Sequence, residues 1–135
     1  MAKTSEQRDV QEIEIGQWIT FLDEFTRQNR GAHARLEVLG GEVGYQVETE
    51  NRPFDGIAAD VKDGERVVWI SFGDTPENHL THGVHGATAI RVRPPVGDEG
   101  AAVEVEAEDG TKTLLELTRP EAYALPPAQS QDRKA

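Results

Sequence analysis

Hydrophobic and polar positions change their period once along the chain, near Gly31. Before it, in Gly16–Arg30, Trp18, Phe21, Leu22 and Phe25 recur at i, i+3, i+4 and i+7. That spacing predicts one amphipathic helix whose aromatic stripe faces a core. Asp23 and Arg27 stand four apart on the other side, in the favourable order. Gly31 supplies a residue able to take positive φ where the helix must stop.

After Gly31 the period falls to two, the signature of half-buried strands. Around Gly40-Gly41 a two-residue turn would pair Val38 with Val43, Leu36 with Tyr45 and Ala34 with Val47, all on one face. Strands 54–61 and 66–72 flank an Asp63-Gly64 turn. The latter carries Val68, Ile70 and Phe72 on one side and Val67 and Trp69 on the other, so it is expected to be central, covered on one side by the helix or closed into a barrel. Residues 73–86 have no clean period and are expected to be the longest irregular link. Strands follow at 87–93, 101–107 and 111–118. In the last hairpin a two-residue turn would set Val103 opposite Glu116. A three-residue loop, Glu108-Asp109-Gly110, instead pairs Val105 with Thr113, Val103 with Leu115 and Glu106 with Lys112. The pattern selects that loop, with Gly110 in the left-handed region.

The expected fold is therefore α+β: one N-terminal helix on a mostly antiparallel meander of about seven strands. A curled sheet or small barrel, an Sm-like or SH3-like roll, is its expected form, with a flatter sheet as the alternative. Residues 1–14 read as a flexible N-terminus, 15–119 as a single domain, and 120–135 as a flexible tail rich in Pro, Gln, Ser and Ala.

Composition narrows the functional classes. The 135 residues carry a net charge of −11. Lysines are only four (Lys3, Lys62, Lys112, Lys134) and the arginines are scattered. Nucleic acid and anionic membranes are thus unexpected partners. The absence of cysteine removes thiol chemistry, disulfides and cysteine-metal sites. No apolar run reaches membrane-spanning length and the N-terminus lacks the apolar region of a secretory signal, so a soluble cytoplasmic protein is expected.

The order of a Trp-containing helix, LEVLGGEVGYQVE, PFDGIAADVKDG, an apolar strand ending Phe72-Gly73-Asp74, and HLTHGVHGATAIRV resembles a family of small bacterial proteins known only as a domain of unknown function. The resemblance covers roughly residues 13–118. It implies the domain limits and a bacterial origin, and it supplies no activity or site residue.

His79, His82 and His85 invite the one sharp chemical reading, a divalent-metal site. Asp74 and Glu77 stand just upstream as oxygen donors. On a strand His82 would face away from the other two, so only an irregular loop would converge all three, and the spacing matches no standard zinc signature. The alternatives are a loop-bracing histidine or a general acid–base. Ser71 sits in a strand and not a nucleophile elbow. Glu104 and Glu106 alternate beside Arg91, Arg93 and Lys112, which predicts cross-strand ion pairs. The expected function is a non-catalytic macromolecule-binding or accessory domain without cofactor, with a protein partner. A metal-binding protein or metal-dependent enzyme built on the histidine loop is the alternative.

Overall fold

The computed structural model describes residues 10–41 and 44–118. Its elements are β1 (Gln11–Ile13), a 3-10 turn (Ile15–Gln17), α1 (Trp18–Asn29), β2 (His33–Gly40), β3 (Gly44–Lys62), β4 (Glu65–Phe72), a second 3-10 turn (Pro76–Asn78), β5 (Leu80–His85), β6 (Ala87–Arg93), β7 (Glu99–Ala107) and β8 (Lys112–Thr118). The strands form one antiparallel eight-stranded sheet in the order β1-β6-β7-β8-β2-β3-β4-β5. The sheet does not close, so β1 and β5 are its edges.

The 19-residue β3 gives the sheet its shape. Its first half pairs with β2 and its second half with β4. The β2 pairing shifts register across Asn51, at φ 64, and the β4 pairing shifts between Phe54 and Gly56. A bulge bends a strand and sharpens its twist. The bend separates the β3–β4–β5 arm from the rest of the sheet, and the arm's far end is pinned where Arg66 Nε donates to Ala87 O at 3.1 Å.

The helix fills the concave side. Trp18, Leu22 and Phe25 are buried among Leu36, Phe54, Ile70, Ile90, Val103 and Leu115. Trp18 Nε1 donates to Ile13 O at 2.9 Å, so the buried indole has a partner. Asp23 and Glu24 both engage Arg27 on the solvent side. Thr26, next to Phe25 on the helix, closes a gap in the sheet. Its hydroxyl donates to Ile57 O at 3.0 Å and accepts from Ile57 N at 2.9 Å. It thereby serves the side of β3 that β2 has left beyond the bend.

The β7–β8 hairpin adopts the expected register, with Val103↔Leu115, Val105↔Thr113 and Glu106↔Lys112. Gly110 sits at φ 88, and Ala107 N donates to Thr111 O. Arg91 bridges Glu104 at 2.9 Å and Glu106 at 3.0 Å. The Asp63-Gly64 turn also holds, with both φ positive and Lys62↔Glu65 closing it.

Three expectations need correction. The first hairpin pairs Gly40 with Gly44 and Leu39 with Tyr45, three positions away from the expected register. A change by an odd number reverses the faces, and Tyr45 and Val47 point to solvent. Residues 80–85 of the supposed irregular link form β5, because Leu80, His82 and Val84 alternate on the inner face opposite Phe72, Ile70 and Val68. β4 is covered on the helix side, where Val68, Ile70 and Phe72 join the core, while on its other face Val67 is buried and Trp69 remains 38% exposed. Gln11–Ile13, inside the segment read as flexible, is a strand paired with β6, which makes the strands eight. The C-terminal tail, 120–135, lies outside the described residues.

Candidate functional site

Because 80–85 is a strand, the three histidines part company. His82 pairs with Ile70 and points inward, half-buried. His85 pairs with Val67 on the outer face. His79 precedes the strand. Each meets a different acidic neighbour. His79 Nε2 lies 3.4 Å from Asp55 Oδ2, and His85 Nδ1 lies 3.5 Å from Glu65 Oε2. Burial pushes the His82 imidazole below its ordinary pKa, while Glu48 acts in the opposite direction. Among the described residues no group of three His, Asp or Glu side chains converges on a common point.

The outer face at the same place is aromatic. Trp69 lies between Ala58 of β3 and Gly83 of β5. Its six-membered ring covers the Gly83 backbone so closely that a Cβ at Gly83 would come within 2.6 Å of Cζ3. His85 meets the indole edge-on, with ring centroids 5.7 Å apart. On the α1 side of the indole a shallow groove of about 490 Å³ runs past Ile19, Asp23 and Ser71.

β5 itself is an edge of six residues, Leu-Thr-His-Gly-Val-His. Its register against β4 is unbroken from Val67↔His85 to Phe72↔Leu80. Natural sheets blunt their edges with Lys, Pro, bulges or short strands. The opposite edge, β1, is blunted by its length of three residues. β5 uses none of these devices.

Another cleft lies elsewhere. About 520 Å³ in volume, it sits between Phe21 and Phe25 of α1 and the Pro94-Pro95 and Leu117 side of the sheet. Its described lining contains no Ser, His, Asp, Glu or Lys, and its one hydroxyl is that of Thr118. The edge strand and its Trp69 platform escaped the sequence reading. The available signal was the Leu80, His82, Val84 alternation, masked by two polar-looking imidazoles.

No helix among the described residues is long and apolar enough to cross a membrane. No solved structure matches the chain. It is 30% identical over 101 residues to an uncharacterized protein of Aquifex aeolicus (strain VF5), covering 75% of this chain and 85% of that protein. A match to the family of unknown function DUF5335 spans residues 9–126. The resemblance found in the sequence therefore has its family: the chain belongs to DUF5335.

Proposed function

We propose that this protein is a non-catalytic protein-binding domain that takes an extended segment of a partner onto the β5 edge. The observation that carries this reading is the unguarded edge: six residues in unbroken register, without Lys, Arg, Asp, Glu or Pro. Such an edge offers a row of backbone donors and acceptors to an incoming strand. Charge selects the partner. The surroundings include Glu65 and Asp55, and the whole chain carries −11, which favours a basic segment and opposes a second copy of the same chain.

The test uses the full chain and a synthetic nonapeptide of alternating valine and lysine. Binding is followed by amide chemical shifts and hydrogen exchange. The expected result is slowed exchange at β5 amides with shifts centred on β4 and β5. Thr81→Lys adds an edge-guarding charge on the exposed outer face and is expected to abolish that protection without lowering the melting temperature. Shifts spread over the whole acidic surface, or unaltered binding by Thr81→Lys, would overturn the proposal. So would a concentration-dependent dimer that protects the same amides without peptide.

A further inference from the structure

Strand addition on β5 has a specificity element that the backbone alone does not provide. We infer that Trp69 is a platform for one cationic side chain, a lysine or arginine, carried by the incoming segment at the position beside Gly83; this rests on the β5-edge reading.

Gly83 and Trp69 are cross-strand neighbours on the outer face. The added strand would place its own residue on the far side of Gly83, on that same face. Side chains directly opposite on neighbouring strands stand about 5 Å apart at Cβ. Gly83 has no side chain to separate the newcomer from the indole, whose six-membered ring already reaches across it. The newcomer's side chain is thus brought to the aromatic ring and not to another aliphatic group.

Three features of the platform favour a cation. The indole is the best of the aromatic partners for an ammonium or guanidinium. His85 holds the ring edge-on, and the Glu65 carboxylate stands 3.5 Å from the His85 imidazole on the same side. That carboxylate adds negative charge to the outer face on which a bound cation would sit. An acidic side chain at that position would meet the negative field of the chain. Gly83 also fixes the ring's place. Any larger residue would meet Cζ3, Cε3 and Cη2 within 3.2 Å and lift the indole off the strand.

The experiment compares three capped nonapeptides of alternating threonine and valine that differ only at the centre: lysine, norleucine or glutamate. Affinity is read by Trp fluorescence and by amide shifts, and β5 hydrogen exchange reports edge docking separately. The lysine peptide is expected to bind about threefold tighter than norleucine, a factor typical of an exposed cation–aromatic contact. The glutamate peptide is expected to bind weakest. Trp69→Leu and Gly83→Ala are expected to erase the lysine preference while the peptides still slow β5 exchange. Equal affinity for lysine and norleucine, or a preference that survives Trp69→Leu, would overturn the platform and leave the edge reading standing. Absence of any β5 protection with all three peptides would overturn both.

Discussion

The Thr26 hydroxyl is the sharpest test of how the helix is joined to the sheet. Thr26→Val keeps the size, the branching at Cβ and nearly the same helix propensity, so the hydroxyl is the principal loss. That hydroxyl serves both polar groups of Ile57, at 3.0 Å and 2.9 Å. Ile57 is 2% exposed and Thr26 8%, so water has little room to replace it. An unsatisfied buried backbone group costs about 1–3 kcal/mol, and two are orphaned here, which places the penalty at about 2–6 kcal/mol. Thr26→Ser keeps both hydrogen bonds and loses only a methyl near Gly56, for roughly 1 kcal/mol. Urea unfolding followed by tryptophan fluorescence measures both variants, and hydrogen exchange of the Ile57 amide localises the damage. A Val variant as stable as the Ser variant, or an Ile57 amide protected as in the parent, would refute the argument.

Other outcomes can be checked with the same methods. Leu22→Ala empties a fully buried position against the concave face and is expected to cost about 2–5 kcal/mol in urea unfolding. Gly110→Ala places a side chain at φ 88 and is expected to cost about 1–2 kcal/mol, read as a lower melting temperature. Arg91→Met removes the bridge to Glu104 and Glu106; about 1 kcal/mol is expected, with a loss that shrinks as salt is raised in unfolding titrations. The His82 pKa is lowered in the fold, so the unfolded chain binds its proton more readily. That contribution to stability is complete above pH 6.5 and is lost as pH falls through the folded value. Unfolding curves between pH 7 and 5 are expected to be flatter for His82→Gln than for the parent.

What the sequence made legible follows physical redundancy. In β7–β8 only one loop length keeps Val103, Val105 and Leu115 on one face, so pattern and turn agree. In β2–β3 the glycines around residue 41 permit more than one loop length, and Tyr45 and Val47 imitate core residues while facing solvent. Local alternation had no means of choosing between them. The helix stripe was clear because Trp18, Leu22 and Phe25 recur at the helical period. Thr26 was invisible because its partner, Ile57, lies 31 positions away and offers only backbone. β5 was hidden by imidazoles, which read as polar although His82 is half-buried beside Ile70. The separation of the three histidines was legible in one respect: strand geometry sends His82 to the opposite face from His85, and the chain adopts that geometry.

The continuous β3 has a consequence for how the chain tolerates change. One backbone serves as a seam for two partners, β2 and β4, so an inserted residue in either flank would turn inside-out everything stitched to it. The irregular stretch from Asn51 to Gly56 interrupts that transmission. A one-residue change is therefore best absorbed at the existing register shifts, across Glu48, across Asn51 and between Phe54 and Gly56, while Phe54 itself stays pinned by its hydrogen bonds to Gly31 and Ala32.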